Sequence, residues 1–436
     1  MTAEVAILNK YAVALAADSA LTAKLINPLD KTKPINKIFP GNKIFMLSKC
    51  HPVGIMYYNV ADFMSVPWEV IIKMYREELG DKSKATIQEY ADDFIKYLQK
   101  ESICTGSQQR SNNLNIFYSY LNLIKNDINR YRKDGDDQHV ALTLMEDIKN
   151  WEKNEIIPSM STVTGDEIIN RNIEEFEYAR KEVFESLELS DELNNLVNQY
   201  MGVLVNRDIL SDSKSGIVFA GFGENEIFPT VIEYETDGVL GGQVKIIKRN
   251  HYDISREEYS SAIIPFAQQD MFERFLWGVD FSYESYIKTR LTELMKKYGS
   301  SIIEIISNKV SFDSEGVKNA VGETLNENLE EFFSECYNFR KTNFADPILD
   351  TLYAVPKDEL GNMAEAIVNL SSINRRYSAV TESVGGPVDV AVISKGDGFV
   401  WMKRKHYFSP DLNLHYANRY QTFRNTSNKD RGTDEK

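Results

Sequence analysis

Apolar positions run almost unbroken through the first eighteen residues. Ala3-Glu4-Val5-Ala6-Ile7-Leu8, a turn at Asn9-Lys10, and Tyr11-Ala12-Val13-Ala14-Leu15-Ala16-Ala17 read as two strands, the second ending on the carboxylate of Asp18. Residues 26–41 hold Pro28, Pro34 and Pro40 and no sustained period, which predicts a loop. Lys43-Ile44-Phe45-Met46-Leu47-Ser48 and Val53-Gly54-Ile55-Met56-Tyr57-Tyr58-Asn59 then read as a second hairpin. The period changes from two to 3.6 after Pro67, with Val70, Ile71 and Met74 on one helical face.

From 81 to 189 the pattern is helical almost throughout. Ile87, Tyr90, Phe94 and Leu98 form one stripe, and Leu114, Phe117, Leu121, Ile124 and Ile128 another; each is read as a face buried in a core. A further helix is expected over 191–208, with Leu193, Val197, Tyr200 and Leu204 facing in. Strands follow at 216–222, 228–235 and 243–248, then a helix over 269–278 and a helical stretch over 281–340. Met363, Ile367, Leu370 and Ile373 mark a last helix within 356–376, and a closing hairpin is expected over 388–403. Residues 424–436 are polar and charged, which predicts a disordered tail.

A length of 436 residues exceeds one ordinary core and allows two or three compact units. The apolar fraction of 42% is enough to fill such cores and argues against disorder. A formal charge of −15 opposes nucleic-acid binding, and the densest basic run, Lys403-Arg404-Lys405, reads as a solvated strand end. Cys50, Cys104 and Cys336 have no paired spacing, as expected of reduced thiols in a cytoplasm. No apolar run approaches the ~20 residues of a membrane helix, so neither insertion nor export is expected. The five histidines lack metal spacing, and Gly221-Phe222-Gly223 lacks the third glycine of a phosphate loop. Cys50 and His51 are chain neighbours, whose side chains diverge on a strand, so they do not suggest a dyad.

The chemistry lies in the first hairpin. Removal of Met1 makes Thr2 the N-terminus, placing a hydroxyl nucleophile and an α-amine of pKa ≈ 7.7–8.0 on one residue. The hairpin brings Asp18 beside Thr2, where the carboxylate can hold a lysine whose charge lowers the proton affinity of the hydroxyl.

On these residues the chain resembles a proteasome-type β subunit, a threonine N-terminal nucleophile (Ntn) hydrolase. Thr2, the step to Asp18 and the stretch Ala16-Ala17-Asp18-Ser19-Ala20-Leu21-Thr22 are similar to that family's start; the hairpin beginning at Lys43 and ending at Ala61-Asp62 is similar to its second. Gly216–Phe222, Pro229–Tyr234 and Gly385–Ile393 with Asp397-Gly398-Phe399 look like its central and closing strands. The resemblance covers roughly half of the chain. It implies an α+β fold, a four-layer αββα sandwich with two helical insertions: core at 2–78, 190–280 and 353–408, insertions at 79–189 and 281–352, and a tail at 409–436.

It also implies roles. Thr2 is the expected nucleophile, Asp18 and Lys43 its support, and Thr22 the position whose backbone aligns an extended substrate. Lys37-Ile38-Phe39 nearly copies Lys43-Ile44-Phe45, leaving Lys37 as the alternative lysine. Three features depart from the family. Tyr58 or Asn59 stands where a glycine amide forms the oxyanion site; Glu382 and Ser383 are offset from a supporting aspartate and serine; and Ala267-Gln268-Gln269-Asp270 replaces a Gly-Ser pair. The family arginine beside Thr22 is Ala20 here. The reading is a cytoplasmic threonine protease cleaving peptide or other amide bonds, without cofactor or metal. Its expected partners are a peptide or protein substrate, further copies of the chain arranged as a ring, and an unfoldase. The rivals are an inactive scaffold or interaction protein, favoured by the three departures, and an amidase for a small substrate.

Overall fold

The computed structural model describes residues 3–25, 35–133, 135–254, 261–310, 314–377, 385–406, 408–409 and 412–413. The strands are β1 (Ala3–Asn9), β2 (Ala12–Ala17), β3 (Ala20–Leu25), β4 (Ile35–Pro40), β5 (Ile44–Met46), β6 (Val53–Asn59), β7 (Asp62–Phe63), β8 (Val66–Pro67), β9 (Ser215–Gly221), β10 (Thr230–Leu240), β11 (Gln243–Asp253), β12 (Ser261–Ala267), β13 (Asp389–Ser394) and β14 (Gly398–Lys403). The helices are α1 (Trp68–Leu79), α2 (Ile87–Leu98), α3 (Gly106–Tyr131), α4 (Asp137–Glu152), α5 (Gly165–Arg171), α6 (Ile173–Phe184), α7 (Asp191–Leu204), α8 (Asp270–Trp277), α9 (Phe281–Ser307), α10 (Ser314–Arg340), α11 (Asp346–Leu352) and α12 (Lys357–Tyr377).

Two five-stranded antiparallel sheets carry the site. Their orders are β12-β1-β2-β13-β14 and β11-β10-β9-β6-β5. Ala6, Leu8, Val13 and Leu15 of the first sheet meet Met56, Val218 and Val231 of the second in a core between the sheets. The opposite face of the first sheet, through Val5, Ile7, Ala14 and Ala16, packs on α8 and α12. The opposite face of the second, through Phe45, Ile55, Ile217 and Phe219, packs on α1 and α2. The result is an α+β fold, a four-layer αββα sandwich. Each sheet is covered on both faces, and this is why β1 and β2 read as continuous apolar runs where an antiparallel sheet with one wet face would alternate.

Aromatic packing fixes the outer helices. Phe94 of α2 is edge-on to Tyr75 of α1 at 5.0 Å and to Phe219 of β9 at 5.6 Å. Burying such a side chain stabilises by about 1.5–3 kcal/mol. The stripe Ile87, Tyr90, Phe94 and Leu98 is buried as expected. In α1 the face differs: Trp68, Ile71, Ile72 and Tyr75 are buried, while Val70 and Met74 are exposed. Trp68 and Tyr75 outweigh them in buried area, which turns the helix toward its aromatic side.

A first helical addition, α3 to α7, has its own core, which reaches the sandwich at Leu240 and Ile247. The pattern over 191–208 suggests a layer of the sandwich, yet α7 packs in this added core through Leu193, Val197, Tyr200 and Leu204. The seam holds a buried polar cluster: Lys245 Nζ donates to Tyr120 Oη at 2.7 Å, and Tyr120 Oη lies 3.0 Å from Asp237 Oδ2. A second addition is the antiparallel pair α9 and α10, tied at its base by Arg340 and Glu284 at 2.5 Å. Among the described residues no helix is long and apolar enough to cross a membrane. The predicted tail over 424–436 lies outside the described residues.

Candidate functional site

The hairpin of β1 and β2 pairs Glu4 with Ala17 and places Asp18 beside Ala3. The Asp18 amide donates to the Ala3 carbonyl at 3.1 Å, and the Ala3 amide donates to Asp18 Oδ1 at 3.1 Å. Asp18 Oδ2 accepts from the amides of Ala20 at 3.2 Å and Gly385 at 2.9 Å. Three backbone amides, at the starts of β1 and β3 and at Gly385, therefore converge on one carboxylate and set its orientation.

Lys43 enters from the second sheet, at the start of β5, where its carbonyl accepts from the Tyr57 amide at 3.1 Å. Its Nζ is 2.5 Å from Asp18 Oδ1 and 3.0 Å from Glu4 Oε1. Each of the three residues is no more than 2% exposed. Lys37, the rival on sequence, is an exposed residue of β4 opposite Ala23. The geometry thus brings Lys43 and Asp18 together one residue from Thr2 and leaves Lys37 apart.

Glu4 was not a sequence candidate. A signal for it exists, because Glu4, Ala6 and Leu8 share the inward face of β1, and a carboxylate on a fully buried face needs a cationic partner. One lysine thus meets two carboxyl groups.

Tyr58 and Asn59 end β6 near this cluster. The Tyr58 hydroxyl donates to Glu233 Oε1 at 2.5 Å, and Asn250 Nδ2 donates to Glu233 Oε2 at 2.5 Å. Burial, and next the Glu233 charge, push the Tyr58 hydroxyl far above its ordinary range, so it stays a proton donor. Burial likewise pushes the Glu233 carboxyl up. Asn59 adopts φ +65, the left-handed region that glycine favours. Asparagine tolerates that region better than most residues. The chain thus has at Asn59 a backbone shape suited to glycine, with a side chain added.

Of the other expected site residues, Thr22 lies in β3 opposite Ile38 of β4. Thr2, Glu382 and Ser383 lie outside the described residues. The Ser19 hydroxyl donates to the Pro387 carbonyl, holding the segment after Gly385 against the end of β2. His51 Nε2 is 2.8 Å from the Asp81 carbonyl oxygen. That contact accounts for the ring without a partnership with Cys50.

No protein-family model matches the chain, and no curated protein matches it. Among solved structures, it matches the Anbu (Gly-1) mutant from Hyphomicrobium sp. strain MC1 at 10% identity, over 100% of this chain and 99% of that one, with a TM-score of 0.27. A superposition of that quality adds nothing to the layers and contacts above.

Proposed function

We propose that the chain is a proteasome-like threonine hydrolase that cleaves peptide or other amide bonds through Thr2, exposed by removal of Met1. The observation that carries this reading is the buried contact of Lys43 Nζ with Asp18 Oδ1, next to Ala3. In the proposed reaction the Thr2 hydroxyl attacks the amide carbonyl and its proton passes to the α-amine, directly or through water. The amine returns a proton to the leaving nitrogen, an ester to the enzyme forms, and water releases the acid by the reverse transfers. The Lys43 charge lowers the cost of the alkoxide that develops on Thr2, and Asp18 holds Lys43 in place. The left-handed backbone at Asn59 makes its amide the candidate oxyanion donor. The β3–β4 edge near Thr22 offers main-chain groups for an extended peptide.

Hydrolysis of a peptide library by the full chain tests this, with Thr2→Ala and Lys43→Ala as comparisons. Activity lost in both variants is the expected result. Hydrolysis unchanged in Thr2→Ala would remove the reading. A second reading, an inactive scaffold, draws on the side chain that Asn59 adds at the oxyanion position, and predicts no turnover in any form. Assembly into a homo-oligomer belongs with the first reading, and its size in solution separates a ring from a monomeric amidase.

A further inference from the structure

The α9–α10 pair is long and nearly without a core. Each helix has 27 residues, about 40 Å at a rise of ~1.5 Å per residue. Over residues 281–307 and 315–340 only Gly299, Ile303 and Leu329 are buried. The first addition, by contrast, closes α3 to α7 around a core of its own. Helices in proteins draw most of their stability from packing an amphipathic face, and this pair packs little of one.

The face exists and is uncovered. Ile287, Leu294, Tyr298, Ile302 and Ile305 recur along α9 at steps of seven, four, four and three, which is one side of a helix. All five are exposed, Leu294 by 61% and Tyr298 by 64%, so the stripe does not serve the contact with α10. Val317, Phe332 and Phe339 of α10 are exposed as well. A Cβ on Gly299 would stand 3.0 Å from Leu325 Cδ1, so the helices touch there. From that contact the helical period carries both stripes to the same side of the antiparallel pair. A continuous exposed apolar face of this kind marks an interface.

The charges at its edges indicate what fits it. In α9 four bases stand against three acids, and in α10 two bases against six acids. Arg290 and Lys297 flank Leu294 on α9, and Glu331 and Glu335 border Phe332 on α10. Arg290 pairs along its own helix with Glu293. Among the described residues no ion pair joins Lys297, Glu331 or Glu335 to another side chain. One copy thus holds a basic edge and an acidic edge that do not meet. A two-fold contact uses the same patch twice and must be complementary to itself. A half-turn about an axis through the face lays the basic helix of each copy over the acidic helix of the other.

We propose that this face docks a second copy of the chain, the two hairpins closing as a four-helix bundle with α9 of each copy against α10 of the other. The contact lies outside the αββα sandwich, so it goes beyond the hydrolase reading and holds with or without turnover.

Sedimentation equilibrium of the full chain tests this in wild type, in Leu294→Asp, in the double variant Arg290→Glu with Lys297→Glu, and in the double variant Glu331→Lys with Glu335→Lys. All five positions are exposed in a single copy, so each variant keeps the fold of the chain. The expected result is self-association of the wild type and a halved mass in each variant alone, with the dissociation constant raised about 10- to 100-fold. Mixing the two charge-reversed variants restores the wild-type mass, because the edges then match again. That recovery separates docking of a second copy from damage to the chain. A wild-type mass in Leu294→Asp would overturn the proposal by assigning assembly to another surface. So would a mixture that stays dissociated, or a wild-type chain that remains single at every concentration and leaves the face to a different partner.

Discussion

Glu4 Oε1 lies 3.0 Å from Lys43 Nζ, and both side chains are out of solvent. The lysine therefore answers two carboxylates, and the three groups are unequal in what their removal exposes. Lys43→Ala leaves Glu4 and Asp18 buried and facing each other, which should cost about 3–5 kcal/mol of stability. Glu4→Gln removes one negative charge and keeps the shape, and should change stability by less than about 1 kcal/mol. Urea unfolding of both variants checks this. Equal losses would mean that Glu4 is as necessary to the cluster as Lys43.

Lys37 gives a contrast within the same chain. It is exposed on β4 and remote in role from Asp18, whose lysine position is filled. Lys37→Ala should leave stability within about 0.5 kcal/mol of wild type and hydrolysis unchanged. Activity lost here and kept in Lys43→Ala would reverse the assignment.

The seam between the sandwich and the first helical addition should respond to pH. Burial is the largest influence on Lys245 and lowers its pKa from 10.5 to about 8, against the opposing charges of Asp237 and Asp208. Between these values the folded chain binds fewer protons at Lys245 than the unfolded chain, so this lysine makes stability rise with pH from about 8 to 10.5. Its contribution is complete above that interval and lost as pH falls through about 8. Lys245→Met should flatten the rise in urea midpoints measured across this window. A rise of undiminished size in the variant would refute the assignment.

Gly216 tests how tightly the Tyr58 ring is packed. A Cβ there would stand 1.9 Å from Tyr58 Cζ, the atom bearing the hydroxyl bonded to Glu233. Gly216→Ala should displace the ring and cost about 1–3 kcal/mol. Thermal unfolding measures the loss, and a variant as stable as wild type would show that Tyr58 has room to move.

The four layers were legible because their signals are local. Two buried strands and a turn between them can be read from Val5 to Ala17, and the spacing of Ile87, Tyr90, Phe94 and Leu98 marks one helix face without knowledge of its partner. What such a pattern omits is which core receives the face. Leu193, Val197, Tyr200 and Leu204 of α7 form a correct stripe that packs in the helical addition. Val70 and Met74 satisfy the period of α1 and lose to its aromatic residues.

The site was legible in part for a related reason. Asp18 follows from the hairpin's register. Lys43 was separable from Lys37 only through the length of the following hairpin. Glu4 escaped notice because its meaning depends on what lies across the sandwich, at Lys43. The carboxylate on an inward face could have been found.

The central claim is that Thr2 is the nucleophile, and intact mass measures it most directly. The full chain, expressed in a bacterial cytoplasm, is weighed before and after treatment with a small electrophile that traps an N-terminal threonine. The account predicts loss of Met1 and one adduct, absent in Thr2→Ala. Retention of Met1 with no adduct would contradict it.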